Sequence, residues 1–382
     1  MQIFLGGVAA MYFGYAIIML LYRKWFVQLK PFINPSTFSP STSFSIIIPA
    51  RNEALNIGDC LQTILQQNYP VSLFEIIVID DHSTDDTSAI VEKLQLLHTN
   101  IKLIRLADEL NGQILNSYKK KAIENAIGYA TGKWIVTTDA DCLVKKDWLK
   151  SYAAFIEQQD AVFVAAPVIF SNNGNLLNTF QYIDFMSLQG ITAASVSAGF
   201  HNMCNGANLA YKKEVFYEVN GFRGIDNIAS GDDMLLMNKI KMLYPNNVAF
   251  LYCEDAIVTT HPMPDWKSFF NQRIRWASKA EQFKSKDQKI FAVLVLVYGF
   301  NAALFIMPLL AFFNGWFLVY WFMFLSAKTL VELAFALPVA KFFGQKFIWW
   351  FLFLQPLHIG YIVISGWLGK FGSYHWKGRN VK

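Results

Sequence analysis

Charge is distributed along this chain so unevenly that a soluble core held between membrane elements is the arrangement it favours. Residues 1–22 and 291–340 carry almost no charge, Lys328 and Glu332 being the exceptions, whereas 44–290 has the mixed composition of a globular domain. The hydrophobic fraction of 54% and the 34 phenylalanines agree with that division. A chain of 382 residues holds two ordinary domains, or one domain with membrane segments. The net charge of +5 is modest and suits attraction to anionic lipid and to a diphosphate. No basic tract interleaved with aromatic residues occurs in the globular part, so a nucleic-acid partner is not expected. Cys60, Cys142, Cys204 and Cys253 show neither CxxC spacing nor a pairing pattern and read as reduced thiols.

The first apolar run, Ile3 to Tyr22, is about long enough to cross a bilayer. No Lys or Arg precedes it and Arg23 and Lys24 follow it, the reverse of a signal peptide. The positive-inside rule therefore places the N-terminus outside and Arg23 in the cytoplasm. A second apolar stretch, Ile290 to Ala340, is broken at Asn314-Gly315 and is long enough for two helices. A third, Phe347 to Leu368, contains Pro356 and His358. Three full crossings after the domain would put Lys370, Lys377, Arg379 and Lys382 outside, against the charge rule, so the third stretch is either re-entrant or interfacial or an exception to that rule.

Between these segments strand and helix patterns alternate. Phe44 to Ile48 reads as a buried strand ended by Pro49, and Ile57, Cys60, Leu61, Ile64 and Leu65 recur at helical spacing. Glu75 to Ile79 is the next strand, Thr87 to Leu97 a helix, Lys119 to Tyr129 a helix, and Trp134 to Thr138 a strand. Such alternation predicts an α/β domain with a largely parallel, doubly wound sheet, whose ligands lie beyond the carboxyl ends of the strands. The expected organisation is an anchor over 1–24, a linker over 25–43, a catalytic domain over 44–264, an amphipathic segment over 265–289, membrane helices over 290–369 and a basic tail over 370–382.

Acidic clusters fall at that sheet edge. Asp139 and Asp141 flank Ala140 at the end of a strand, where residues i and i+2 project to one side, so two carboxylates converge in a way that suits a hard divalent cation. Paired acids also occur in plain turns. Asp80-Asp81 closes another strand, and Ser83, Thr84 and Asp85 after it are capping residues as well as potential ligands. Lys119, Lys120 and Lys121 suit a phosphate or a solvated helix face. Asp232 and Asp233 open a helical stretch, Met234 to Met242, where an acid either caps the helix or takes a proton from a hydroxyl. From Asp265 to Lys279, Trp266, Phe269, Phe270, Ile274 and Ala277 share one helix face, and Gln272, Arg275, Trp276 and Lys279 share the other. A helix so divided, just ahead of a membrane span, is expected at the bilayer surface, its apolar face toward lipid or the first span and its other face toward the domain.

Taken in order, these pieces resemble family 2 glycosyltransferases with a GT-A fold, over about Phe44 to Lys279. Ile46-Ile47-Ile48-Pro49-Ala50-Arg51-Asn52-Glu53 resembles the family's opening strand and nucleotide-contacting turn, and Val78 to Asp85 resembles its VDDxSxD element. Asp139-Ala140-Asp141 resembles DxD, Gly231-Asp232-Asp233 stands where the family has Glu-Asp, and Gln272-Arg273-Ile274-Arg275-Trp276 resembles QxxRW. Asn205 to Asn208 and Asn220-Gly221-Phe222 resemble the acceptor-side segment. His82 and Tyr118 stand where the family carries glycine. The resemblance implies an inverting transfer from a nucleotide-sugar, a UDP-sugar, with Mg²⁺ or Mn²⁺ on Asp139 and Asp141. It implies nucleotide-sugar contacts from Pro49, Ala50, Asn52, Glu53, Asp80, Asp81, Lys119, Asp139 and Ala140. It implies Asp233 as base, with Asp232 the neighbouring candidate, and catalytic roles for Gln272, Arg275 and Trp276. In compactness, and in Trp376-Lys377-Gly378-Arg379, the chain is similar to enzymes that glycosylate ceramides, hopanoids or carotenoids, which implies a lipid acceptor at the cytoplasmic face of the cell membrane. A processive polysaccharide synthase shares QxxRW but needs a channel with more spans. A nucleotidyltransferase would carry a Gly-rich loop where Ala50-Arg51-Asn52-Glu53 stands, and a silent scaffold would not need these acids.

Overall fold

The structure, a computed structural model, describes residues 1–110, 115–228, 231–279, 287–345, 347–371, 374–376 and 379–381. Ser230, residues 280–286 of the amphipathic segment, and Lys377, Gly378 and Lys382 of the tail lie outside the described residues.

Strands β1 (Phe44–Ala50), β2 (Phe74–Asp80), β3 (Ile101–Arg105) and β4 (Trp134–Thr137) form the parallel half of a seven-stranded sheet. β5 (Phe163–Ala165), β7 (Leu209–Lys212) and β8 (Val248–Phe250) complete it in the order β3-β2-β1-β4-β7-β5-β8, with β7 antiparallel to both neighbours. β6 (Val168–Phe170) and β9 (Val258–Thr260) pair separately. Successive strand residues point to opposite faces, so Phe44, Ile46 and Ile48 enter one core while Ile47 enters another. The first core is covered by α2 (Ile57–Leu65), α3 (Thr87–Leu97) and α6 (Trp148–Gln158); the second is covered by α5 (Tyr118–Tyr129), α4 (Leu106–Leu110) preceding it. Helices on both faces give the expected doubly wound α/β fold.

Gly132 shows how tightly β4 is set into this sheet. A Cβ there would lie 2.5 Å from the backbone of Phe44 and Ser45, atoms that cannot swing aside. Gly132→Ala is expected to destabilise the domain by about 1–3 kcal/mol, as overpacking does, read as a lowered Tm of the full chain in detergent; an unchanged Tm would contradict that packing.

Among the described residues four helices are long and apolar enough to cross a membrane: α1 (Gln2–Gln28), α11 (Gln288–Leu310), α12 (Trp316–Phe342) and α13 (Trp350–Phe371). α1 continues past Lys24 by one turn, so the linker begins at Leu29. It is docked along the domain: Phe32 N–H donates to Tyr252 O at 2.7 Å, Asn34 Nδ2 to Asp255 Oδ2 at 3.0 Å, and Ser41 and Thr42 donate to Glu157 Oε1. A helix without a counterpart in the sequence reading, α7 (Leu176–Ser197), packs on α1, α12 and α13 and joins the domain to the bundle. α8 (Lys213–Glu218), α9 (Met234–Leu243) and α10 (Trp266–Ala277) complete the domain side. The apolar face of α10, expected toward lipid or α1, packs on α7 and α13: Phe269 has ring neighbours Phe180 at 5.6 Å and Tyr361 at 5.5 Å. The reason is that α13 runs beside α10, for eight residues past Tyr361 a Cβ on Gly369 would lie 2.8 Å from Ala277 Cβ.

Candidate active site

The carboxyl ends of β1, β2 and β4 open onto a cavity of about 1400 Å³ that extends to the long apolar helices α1, α11 and α13. The β1 and β2 ends are tied together by their loops. Asn52 N–H donates to Ser83 Oγ at 2.9 Å, Thr84 N–H to Asn52 Oδ1 at 2.8 Å, and Ala54 N–H to Asp85 Oδ2 at 3.0 Å. Asn52 and His82 both adopt left-handed backbone, φ 52° and 56°, a conformation costly for most side chains and free for glycine. His82 holds it with Nδ1 2.9 Å from Asp81 Oδ1 and its ring edge-on to Tyr118 at 5.6 Å, so the two residues that stand where the resemblance implies glycine meet each other. Of the expected nucleotide-sugar contacts, Pro49, Ala50, Glu53, Asp81, Lys119, Asp139 and Ala140 line the cavity, whereas Asn52 and Asp80 fall outside the lining. Asp80 is buried and accepts from Ser83 N–H at 3.2 Å, and Asn52 fastens the loops, so both shape the wall from behind.

The three lysines of α5 have three fates, because each helical step turns by about 100°. Lys119 Nζ lies 2.7 Å from Asp139 Oδ1 and 3.6 Å from Asp232 Oδ2. Lys120 is buried and donates to the carbonyls of Ile225 and Ile228, which makes it structural. Lys121 pairs with Glu124 at 3.0 Å on the surface. Burial would lower the Lys119 pKa, but Asp139 and Asp232 outweigh it and hold the ammonium above its ordinary range. Burial would likewise raise Asp232, yet Lys119 and Lys279 keep it below the usual carboxylate value.

Gly206 brings the second acidic pair to the same point. Its carbonyl accepts from Thr137 Oγ1 at 2.7 Å, and its N–H donates to Asp233 Oδ2 at 3.1 Å. A Cβ on Gly206 would lie 3.2 Å from Asp232 Oδ2, 3.6 Å from Lys119 Nζ and 3.7 Å from Asp233 Cβ. Asp233 also caps α9, its Oδ1 accepting from Met234 N–H at 2.7 Å. The capping and catalytic readings of this acid are thus compatible. Asp139, Asp141, Asp232, Asp233 and Lys119 all face one space. Among the described residues no group of three or more His, Cys, Asp and Glu gathers as a metal cage. Two carboxylates at a strand end suit a magnesium- or manganese-like ion that draws its remaining oxygens from substrate phosphates and water.

On α10, Gln272, Arg275 and Trp276 line the cavity as expected. The residue between them, Arg273, was not singled out by sequence reasoning and is 3% exposed. It donates to Asp184 Oδ2 of α7 at 2.8 Å and to Gln272 Oε1 at 2.7 Å, and stacks 4.3 Å from the Trp276 ring. Asp184 also accepts from Tyr361 OH at 2.5 Å, so the helix bearing QxxRW is locked to both α7 and α13. A charged residue at a buried helix position was the available signal.

The chain belongs to the family 2 glycosyltransferases: the model of Glycosyl transferase family group 2 matches residues 134–363, and that of Glycosyl transferase family 2 matches residues 45–219. It is similar to Glycosyltransferase AglE of Haloferax volcanii, 27% identical over 190 residues, or 50% of this chain and 58% of that one. It is also similar to a poly-beta-1,6-N-acetyl-D-glucosamine synthase of Staphylococcus epidermidis, 25% identical over 282 residues, or 69% and 61%. The chain therefore spans less than two thirds of the length of these curated relatives. In fold it is similar to the mannosyltransferase PcManGT of Pyrobaculum calidifontis, solved with GDP-Man and Mn²⁺: TM-score 0.61, 19% identity, 96% of this chain and 98% of that one. The GT-A fold is thereby shown.

Proposed function

We propose that the protein moves one sugar from a UDP-sugar to a hydroxyl of a membrane lipid, with inversion, on the cytoplasmic side of the cell membrane. The observation that carries this reading is a single cavity bounded at one end by Lys119, Asp139, Asp141 and Asp233 and at the other by α1, α11 and α13. A nucleotide bound there would lie against Pro49, Ala50 and Asp81, with Glu53 beside it. Asp139 and Asp141 would hold Mg²⁺ or Mn²⁺, which supplies positive charge to the departing diphosphate. Lys119 and Arg275 add charge on the same side. Asp233 takes the acceptor's proton as the oxygen attacks the anomeric carbon opposite the leaving phosphate, and Trp276 is an aromatic platform at the acceptor's approach, with Gln272 beside it.

Processive synthesis is the second reading, favoured by the alignment with the Staphylococcus epidermidis synthase. Single transfer has the better support. The cavity lining on α1 begins at Tyr15 and on α11 ends at Gly299, the midpoints of those helices. At that depth Tyr15, Glu332 and Gln355, which line the cavity, interlock with Lys328, whose Nζ lies 2.7 Å from both Glu332 Oε1 and Gln355 Oε1. Purified enzyme given labelled UDP-sugars and extracted membrane lipid is expected to yield an organic-soluble product carrying one sugar; a long water-soluble polymer made without lipid would refute the reading.

Orientation has its own test. Arg23 and Lys24 follow the apolar run of α1 in that helix's last turns, and α13, lying beside α10, suits an interfacial helix that leaves the tail cytoplasmic. A thiol placed at exposed Ser36 by Ser36→Cys is expected to resist impermeant reagents in intact cells and to react after lysis. Labelling from outside would reverse the topology.

A further inference from the structure

We propose that the membrane half of the cavity is the acceptor chamber, in which the lipid's polar head lies against His201, Arg273 and Ser365 while its chain leaves through a mouth between α11 and α13. This rests on the lipid-acceptor reading above and adds where and how that lipid is held.

The mouth is defined by residues that face two ways. Leu294 and Val295 on α11, and Trp367 and Phe371 on α13, all line the cavity, yet they are 37%, 55%, 60% and 64% exposed. A wall residue that is also open to the exterior marks an aperture. All four are apolar and sit on helices long and apolar enough to lie in a bilayer or along its surface, with Lys370 of α13 between two of them, so the aperture opens at the boundary of hydrocarbon and head groups. A water-soluble acceptor would gain nothing from such an entrance, whereas a lipid chain needs one if its head is to reach Asp233 without leaving the membrane. Close contact fixes the two walls: a Cβ on Gly366 of α13 would lie 2.5 Å from the Tyr298 ring of α11.

Inside the mouth the lining turns polar, and part of it lacks partners. His201 Nδ1, Arg273 Nε and Ser365 Oγ are buried side-chain atoms with no hydrogen-bond partner among the described residues, and all three residues line the cavity. Their residues are 2%, 3% and 3% exposed. Buried polar atoms are normally paired, and leaving one unpaired is destabilising. A bound head group would repay that cost. Burial pushes the His201 imidazole down to about 4, so it is neutral, and with Nε2 2.7 Å from Tyr22 OH its Nδ1 remains to meet a hydroxyl. An apolar mouth leading to a neutral imidazole, a guanidinium edge and a serine hydroxyl describes a site for an amphiphile with a hydroxylated head.

Full-length enzyme in nanodiscs built from total lipid extract of the producing cells, supplied with labelled UDP-sugars, gives two readouts: organic-soluble product, and sugar released when water replaces the acceptor. Leu294→Trp and Val295→Trp narrow the mouth and are expected to lower the ratio of lipid transfer to donor hydrolysis at least about tenfold, the scale at which a pocket rejects added bulk. Ser365→Ala is expected to lower the same ratio through the head group. Leu309→Trp, on the exposed surface of α11 outside the cavity lining, should leave the ratio as it was. Hydrolysis retained in each variant reports a folded active site. Wild-type lipid transfer with an unchanged ratio in both mouth variants would overturn the chamber alone. No organic-soluble product from the wild type would overturn the lipid-acceptor reading itself.

Discussion

Asp139→Ala and Asp141→Ala are each expected to abolish sugar transfer while leaving the domain folded. Both residues sit just past β4, where neither carboxylate supports the sheet; the turn is held by main chain, Cys142 N–H donating to Asp139 O at 3.1 Å. A cation at this pair is expected to contribute several kcal/mol of charge stabilisation as the diphosphate leaves, hence a loss of about a thousandfold or more. Lys119 does not replace it, for one ammonium is a point charge and cannot bridge two phosphates. Chelation of the wild type should reproduce the loss, and Mg²⁺ or Mn²⁺ should restore it. Full activity in excess chelator would remove the metal from the account.

Asp233→Asn is expected to keep affinity for the UDP-sugar and lose about 10²–10⁴ in turnover, the usual share of a general base. The amide preserves shape and its one oxygen can still accept from Gly206 N–H, at the loss of the Met234 N–H cap, but it cannot take a proton. Asp232→Asn should behave differently. Its carboxylate pairs with Lys119 at 3.6 Å, so neutralising it removes part of the field on a residue beside the donor site and is expected to change donor affinity. Titration of UDP-sugar binding, set against turnover at saturating donor, separates the two. A variant at Asp232 that binds normally and does not turn over would exchange the roles.

Much of the domain was legible because local and tertiary signals agree in it. α3 spans Thr87–Leu97 as read, and α2 ends at Leu65 ahead of Tyr69-Pro70. The acids at the ends of β2 and β4 were placed by topology alone, since a parallel sheet collects its strand ends on one edge. α7 was not legible. From Leu177 to Val196 it is buried on nearly every side, so its residues show no amphipathic stripe, and Gln181, Asp184 and Gln189 are polar residues with specific partners, among them Met263 O, Arg273 and Val168 N–H. The antiparallel β7 was also hidden, because Leu209–Lys212 is four residues long and its direction is set by partners far along the chain. Arg273 escaped for a related reason. A lone Arg on an apolar helix face reads as a side chain that snorkels to solvent, and only Asp184, 89 positions away, makes its burial tolerable.

The proposed transfer is a single displacement: the acceptor oxygen, relieved of its proton by Asp233, attacks the anomeric carbon from the face opposite the nucleotide. Proton NMR of the product formed from an α-linked UDP-sugar reads this directly through the coupling of the anomeric proton. A β-linked product at the earliest time points is expected; an α-linked product would mean retention and would rule out a single displacement.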